Sequence, residues 1–252
     1  MLYIGEEVGT KNGPSVDIAV DPLEGTNLCA NGLDGAIAVM AISEKGGLLH
    51  APDMYMNKLV VGKPAKGKVD INAPVKDNLD TIAKAYDIPV EEVTVVVLER
   101  ERHNDLIKEI RETGARIKLI TDGDVSAGLD AAFPDTKIHA VMGIGAAPEG
   151  VIKAAALKAL DGEIQAVFKP KDDEQIERMK KMGIKDPNKV YRTEELASGE
   201  NILFIATAVT KLASLKEVEF HEGEVRTHSV VIDSKTKTVR FLESWRKDPP
   251  LE

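Results

Sequence analysis

Two acidic residues flank a proline near the start of the chain, and their spacing suits the binding of a divalent cation. An apolar run at 16–20 is followed by Asp21, Pro22, Leu23, Glu24, Gly25 and Thr26. Carboxylates are ligands of hard cations, and a helix that begins after Thr26 would offer N–H donors and a positive dipole end to phosphate. We therefore predict a site where metal ions meet a phosphate. Taken alone, the stretch also fits a surface turn with Asp21 and Glu24 as helix caps.

Three more groups of polar residues follow apolar segments further along the chain. They occupy residues 99–103, 121–124 and 143–149. Ligands of open α/β sheets gather beyond the carboxyl ends of the strands, so these groups are expected to line one site. Glu149 follows Pro148 in the first turn of a predicted helix, which makes it a candidate metal ligand or an ordinary first-turn glutamate.

The elements that must position these residues follow from hydrophobic periodicity, which predicts an α/β (mixed α+β) fold. Strands are predicted at 16–20, 35–42, 58–62, 93–98, 116–120, 138–142, 165–168 and 201–207, with a hairpin at 227–232 and 238–242. Helices are predicted from Val75 onward and at 104–113, 125–132, 148–160 and 172–182. The alternation indicates βαβ units, hence a mixed sheet followed by a mostly parallel sheet flanked by helices. We expect a metal- and phosphate-binding part at 1–74 and a substrate-binding part at 75–252.

The composition of the chain argues against several functional classes of protein. The 252 residues carry a net charge of −9, which argues against a nucleic-acid partner. The single cysteine, Cys29, excludes an internal disulfide, and the five histidines lack zinc-hydrolase spacing. No apolar run approaches the roughly 20 residues of a membrane helix, and the N-terminus lacks a signal-peptide pattern. We therefore predict a cytoplasmic protein with no membrane partner.

The motif at 21–26 resembles the D-P-x-D/E-G-T/S signature of lithium-sensitive, metal-dependent sugar and inositol phosphatases. The wider pattern resembles the class II (GlpX-type) fructose-1,6-bisphosphatases, and it continues through 27–32, 35–39, 51–56, 122–124, 143–150 and 246–249. The resemblance covers nearly the whole chain. It implies a layered sugar-phosphatase fold, Mn²⁺ or Mg²⁺ as cofactor, a sugar bisphosphate as substrate and a homo-oligomer. The implied reaction is hydrolysis of the 1-phosphate of fructose 1,6-bisphosphate in carbohydrate metabolism.

The resemblance also implies a role for individual residues. The metal ligands would be Asp21, Glu24 and Glu149, and the catalytic residues would be Asp21, Glu24 and Thr26. The substrate-binding residues would be Glu24, Gly25, Thr26, Tyr55, Arg100, Glu101, Arg102, Asp122, Gly123, Asp124 and Ala146. Arg102 would bind the phosphate that is not cleaved, because a guanidinium fork matches two phosphate oxygens.

The chain departs from the family pattern at several points. Ala146 and Ala208 replace glycines, and the apolar opening at 1–4 has no upstream acidic stretch before it. We therefore expect an N-terminally shortened member with reduced activity on its own.

Other functions fit parts of the sequence. Sedoheptulose bisphosphate or an inositol phosphate could be the substrate of the same site. The glycines Gly143 and Gly145 form part of a dinucleotide fingerprint, but the third glycine is absent. A non-catalytic protein that binds sugar phosphates is the third alternative.

Overall fold

The computed structural model describes residues 5–184 and 186–247, which form two β-sheets with helices between and beside them. The motif at 246–249 lies only partly within the described residues, and the apolar opening at 1–4 lies outside them. In chain order the strands are β1 Val16–Glu24, β2 Ile37–Glu44, β3 Tyr55–Val61, β4 Thr94–Leu98, β5 Arg116–Ile120, β6 Ala140–Ala146, β7 Glu163–Phe168, β8 Tyr191–Arg192, β9 Leu203–Ala208, β10 Glu219–His221, β11 Glu224–Asp233 and β12 Thr238–Lys247. The helices are α1 Thr26–Ala30, α2 Val75–Tyr86, α3 Asn104–Glu112, α4 Asp124–Ala132, α5 Ala147–Ala159, α6 Asp173–Lys181 and α7 Thr193–Leu196.

The first sheet is antiparallel at every described strand pair. Its order is β1-β2-β9-β11-β10, with β12 paired along the other edge of β11. Strand β2 alternates between buried and half-buried side chains because one of its faces packs on the core. The hairpin expected at 227–242 is present as β11 and β12.

The second sheet is mixed, with the order β5-β4-β6-β3-β7-β8. Strand β4 runs parallel to β5 and β6, whereas the pairs β6/β3, β3/β7 and β7/β8 are antiparallel. The α/β class is confirmed, but the expectation of a mostly parallel sheet is wrong for this half. The reason is that β3, which precedes the βαβ units in the chain, is inserted between β6 and β7.

Helix α5 packs between the two sheets. It contacts β1, β2, β9 and β11 on one side and β3, β6 and β7 on the other. Its alanine-rich sequence keeps the side chains small, which allows two sheets to approach one helix closely. Helices α2 and α3 cover the opposite face of the second sheet through a separate apolar cluster. The layers are therefore the first sheet, α5 with α4, the second sheet, and α2 with α3.

Two predicted boundaries were wrong in ways that affect the site. The first strand does not end at Val20 but continues to Glu24, with a bulge between Asp21 and Glu24. Pro22 lacks an N–H, and it is tolerated there because β1 is an edge strand. The strand expected to end at Met142 continues to Ala146, so Gly143 and Gly145 lie inside β6.

The division of the chain into two functional parts at residue 74 stays a prediction. In the structure, each of the two sheets takes strands from both sides of that residue. Within the described part of the chain, no helix combines the length and apolar character that crossing a membrane requires.

Candidate active site

A cleft of about 460 Å³ lies where the strands β4, β5 and β6 end and β3 begins. Its lining combines acidic and basic side chains. The lining residues are Glu24, Asp53, Met54, Tyr55, Leu98, Arg100, Arg102, Asp122, Asp124, Gly145, Ala146, Glu149, Lys171 and Gln175. Residues that follow the carboxyl ends of β4 and β5 thus line one cleft, and whether they bind a ligand stays a prediction.

Glu24 is held in this cleft by the bulge at the end of β1 and by the first turn of α4. Its Oε1 accepts a hydrogen bond of 3.2 Å from the backbone N–H of Val125, and its Oε2 is buried with no partner among the described residues. Burial, together with the neighbouring charge of Asp124, raises the pKa of Glu24 to about 8. A carboxylate in this setting requires either a proton or a cation.

Asp124 lies at the centre of a buried charged cluster. Its Oδ2 accepts hydrogen bonds from Lys58 Nζ at 2.6 Å and from Lys153 Nζ at 2.7 Å. Burial opposes ionisation, but the ammonium groups of Lys153 and Lys58 lower the pKa of Asp124 well below its usual range. Burial also lowers the pKa of Lys153 to about 8, so this lysine stays protonated at pH 7.

Glu149, in the first turn of α5, borders the same cluster. Its Oε2 lies 3.7 Å from Lys58 Nζ, the same ammonium group that donates to Asp124. Burial and the charge of Asp124 raise the pKa of Glu149 to about 7. Glu24, Asp124 and Glu149 therefore influence one another electrostatically.

The donor set fits a hard divalent cation. Glu24 and Glu149 both line the cleft and contribute only oxygen atoms, and Oε2 of Glu24 has no hydrogen-bond partner among the described residues. Among residues 5–184 and 186–247, no group of three or more His, Cys, Asp or Glu side chains is already arranged around a common metal position. Two ammonium groups lie among these carboxylates instead.

The basic residues of the cleft gather around Tyr55. The guanidinium carbon of Arg102 lies 4.9 Å from the centre of the Tyr55 ring, and Lys171 Nζ lies 4.8 Å from it. Arg102 donates hydrogen bonds from Nε and Nη2 to the carbonyl oxygen of Ile144. Arg100 donates to the carbonyl oxygens of Glu99 and Thr121. These contacts hold two guanidinium groups at the cleft, where an anion would meet them.

His103 fixes the loop that carries both arginines. Its Nδ1 lies 2.7 Å from the carbonyl oxygen of Leu98, and its Nε2 accepts a hydrogen bond from the N–H of Ile144 at 2.7 Å. Burial lowers the pKa of His103, so the neutral ring that makes both bonds persists at neutral pH. The ring thus ties the end of β4 to β6, beside the carbonyl group that Arg102 contacts.

Most of the predicted site residues line the cleft, and the others lie outside its lining. Those that line the cleft are Glu24, Tyr55, Arg100, Arg102, Asp122, Asp124, Ala146 and Glu149. Those outside its lining are Asp21, Gly25, Thr26, Glu101 and Gly123. Asp21 is half buried, with its Oδ1 accepting from the N–H of Leu23, and Thr26 is exposed at the start of α1. The roles of all these residues stay predictions.

Several residues of the cleft escaped prediction. Lys58 and Lys153 are buried lysines, and Asp53, Lys171 and Gln175 line the cleft. The sequence feature that could have pointed to Lys58 and Lys153 is a lysine inside an otherwise apolar strand or an alanine-rich helix. Such positions usually place a lysine at the surface, with its head group in water.

The dinucleotide-binding alternative lost its structural basis. Gly143 and Gly145 lie within β6 and not in the turn between a strand and a helix, where a pyrophosphate would bind. Gly145 instead gives room to Asp124 and Lys58, because a Cβ there would lie 2.6 Å from Asp124 Oδ2 and from Lys58 Nζ.

Buried carboxyl groups and two arginines share one cleft at the strand ends of a layered α/β fold, an arrangement that suits an enzyme acting on phosphate esters. The chain matches, over residues 1–246, the family described as bacterial fructose-1,6-bisphosphatase, glpX-encoded. A protein of Acaryochloris marina named D-fructose 1,6-bisphosphatase class 2/sedoheptulose 1,7-bisphosphatase 2 is 53% identical, over 97% of this chain and 77% of that protein. A protein of Thermosynechococcus vestitus named D-fructose 1,6-bisphosphatase class 2/sedoheptulose 1,7-bisphosphatase is 52% identical, over 97% of this chain and 78% of that protein.

The chain therefore belongs to the glpX-encoded, class II fructose-1,6-bisphosphatase family, and it is a phosphoric monoester hydrolase. The resemblance found in the sequence is confirmed. The family is one of metal-dependent phosphatases, in agreement with the acidic donor set of the cleft.

Proposed function

We propose that this chain hydrolyses the 1-phosphate of fructose 1,6-bisphosphate to give fructose 6-phosphate, as a step of carbohydrate metabolism such as gluconeogenesis. The observation that carries the proposal is the presence of two unlike charge clusters in one cleft. Glu24 and Glu149 form the acidic cluster with Asp124, and Arg102 and Lys171 form the basic cluster around Tyr55. A substrate with two phosphates can engage both.

The acidic cluster suits the phosphate that is cleaved. Glu24 and Glu149 would hold Mg²⁺ or Mn²⁺, with Asp21 as a further ligand from the other side of the β1 bulge. When bound, such an ion supplies an activated water and positive charge for the developing oxyanion. Thr26 and the backbone N–H of Gly25 would orient the phosphoryl group at the start of α1.

The basic cluster suits the phosphate that is kept. Arg102 would turn its guanidinium fork from the Ile144 carbonyl oxygen to the phosphate, and Tyr55 and Lys171 would complete this subsite. Further contacts to the sugar hydroxyls and the kept phosphate would come from Arg100, Glu101, Asp122, Gly123, Asp124 and Ala146.

Sedoheptulose 1,7-bisphosphate is a second candidate substrate. The names of the related proteins from Acaryochloris marina and Thermosynechococcus vestitus include both bisphosphatase activities, which favours a shared site. Both substrates carry a phosphate at each end, so the same two clusters could serve them.

Phosphorus NMR of the reaction tests the proposal, because it identifies which phosphate leaves. Fructose 6-phosphate is the expected product with Mn²⁺ or Mg²⁺, and fructose 1-phosphate would contradict the assignment of the two clusters. Arg102→Ala is expected to raise KM about 10- to 100-fold, because it removes a charge-assisted hydrogen bond to the kept phosphate. Arg111→Ala, an exposed arginine on α3, is the control and should leave KM unchanged.

We also propose a cytoplasmic location and a homo-oligomeric assembly, both from the family resemblance. Light scattering on the purified chain tests the assembly, and a monomer at micromolar concentration would contradict it.

A further inference from the structure

Two lysines are buried beside the acidic residues of the cleft, where only metal ions were expected. Lys58 comes from β3 and Lys153 from α5, and their exposed fractions are 4% and 1%. Both donate to the same oxygen of Asp124, which is 4% exposed. Lysine is almost never fully buried unless it is paired, and two on one carboxylate oxygen form an excess of positive charge.

The backbone around these lysines leaves room for them. A Cβ at position 145 would lie 2.6 Å from Lys58 Nζ, and a Cβ at position 128 would lie 2.7 Å from Lys153 Cδ. Gly145 and Gly128 therefore lie against the two lysine side chains, one in a strand and one in a helix. The two lysines are thus built into the fold from two different elements.

The formal charges of the cluster can be counted. With all five groups ionised, Glu24, Asp124 and Glu149 carry three negative charges and Lys58 and Lys153 carry two positive charges, so these five side chains have a formal net charge of −1. One divalent cation changes this to +1, whereas without the lysines the same cation would leave −1. The lysines thus make the metal-loaded site two charges more positive, which favours the approach of a phosphate to a chain whose total charge is −9.

We propose that Lys58 and Lys153 are positioning residues that act as a fixed counter-charge: they hold Asp124 in place, weaken the binding of the divalent cation, and make the metal-loaded site more positive. This inference rests on the proposed metal site at Glu24 and Glu149. It predicts that the lysines weaken the binding of the metal cation and strengthen the binding of the phosphate anion. A role in packing alone would not produce these two opposite effects.

The test is calorimetric titration of the substrate-free chain with Mn²⁺ at pH 7.0, followed by kinetics with fructose 1,6-bisphosphate. Lys58→Met keeps an unbranched side chain, shorter by the terminal nitrogen, and removes the charge 3.7 Å from Glu149. We expect the Kd for Mn²⁺ to fall about tenfold or more and the KM for the bisphosphate to rise by a similar factor. A role in folding alone predicts the opposite sign for Mn²⁺, since a distorted site binds metal more weakly.

A second variant and a control keep the test decisive. Lys153→Met should shift both constants in the same directions, and it replaces Lys58→Met if that variant does not fold by circular dichroism. Lys158→Met is the control, because Lys158 lies on the same helix but donates to the carbonyl oxygens of Ala197, Ser198 and Gly199. Its Kd for Mn²⁺ should equal that of the parent chain.

The possible outcomes separate this inference from the proposed function. If the parent binds Mn²⁺ and both lysine variants bind it equally or more weakly, the counter-charge inference is wrong and the metal site stands. If the parent binds no Mn²⁺ at millimolar concentration, the proposed metal site is wrong and the inference is overturned with it.

Discussion

Replacing Asp124 by asparagine tests whether the buried cluster of Asp124, Lys58 and Lys153 stabilises the fold. The substitution keeps the shape of the side chain and removes the negative charge that two ammonium groups share at 2.6 Å and 2.7 Å. The carboxylate that would remain beside Lys58 is the half-buried Glu149, whose Oε2 lies 3.7 Å from Lys58 Nζ. Breaking a buried ion pair from one side costs about 3–5 kcal/mol, and we expect the free energy of unfolding to fall by that amount.

The assay is equilibrium unfolding in urea at pH 7, followed by far-ultraviolet circular dichroism, with a chelator present so that metal binding does not contribute. Asp161→Asn is the matched control, because Asp161 pairs with Lys63 and Lys66 on the surface. Surface pairs of this kind contribute about 0–1 kcal/mol. A loss for Asp124→Asn that is no larger than the loss for Asp161→Asn would refute the structural role of the cluster.

Three further predictions concern other parts of the fold and the cleft. Burial raises the pKa of Asp130 to about 6, so its ionised form costs stability once the pH exceeds about 4, and the full cost is present above about 6. At pH 7.5, Asp130→Asn should therefore unfold at a higher urea concentration than the parent, with a free energy of unfolding that is larger by up to ~3 kcal/mol. Near pH 3 the two chains should unfold at the same urea concentration. Gly143 has a φ of +127°, and a Cβ there would lie 2.9 Å from Nε2 of His103, so Gly143→Ala should displace the arginine loop and raise KM more than it lowers kcat. Lys171→Ala should raise KM about three- to tenfold in steady-state kinetics with kcat unchanged, and a loss in kcat alone would contradict its place in the substrate subsite.

The sequence predicted the secondary structure of the second sheet better than its topology. Helix α2, strand β5 and the pair α4 and α5 lie within one or two residues of the predicted positions, because each combines a clear periodicity with a Gly or Pro boundary. The direction of β3 and its place between β6 and β7 depend on pairing between residues at least 79 positions apart in the chain, and a local sequence pattern carries no information on such pairing.

The same distinction applies to the candidate site. Glu24, Glu149 and Arg102 could be selected because acids and arginines beside glycine or proline at strand ends indicate ligand binding. Lys58 and Lys153 could not, because what makes them unusual is burial, and burial depends on how β3 and α5 pack. The sequence placed His103 in the polar group at 99–103, but its bonds to Leu98 and Ile144 could not be predicted, because they require that the ends of β4 and β6 meet.

Phosphate release from fructose 1,6-bisphosphate is the most direct test of the central claim, measured with Mn²⁺, with Mg²⁺ and with a chelator. The control compares Glu149→Gln with Glu174→Gln, because Glu174 occupies the first turn of α6 and shares only the helix position of Glu149. We predict metal-dependent release that falls at least about 100-fold, or ~2.7 kcal/mol, in Glu149→Gln and is unchanged in Glu174→Gln. Release that persists in the chelator, or equal rates in the two variants, would contradict a metal-dependent phosphatase site in this cleft.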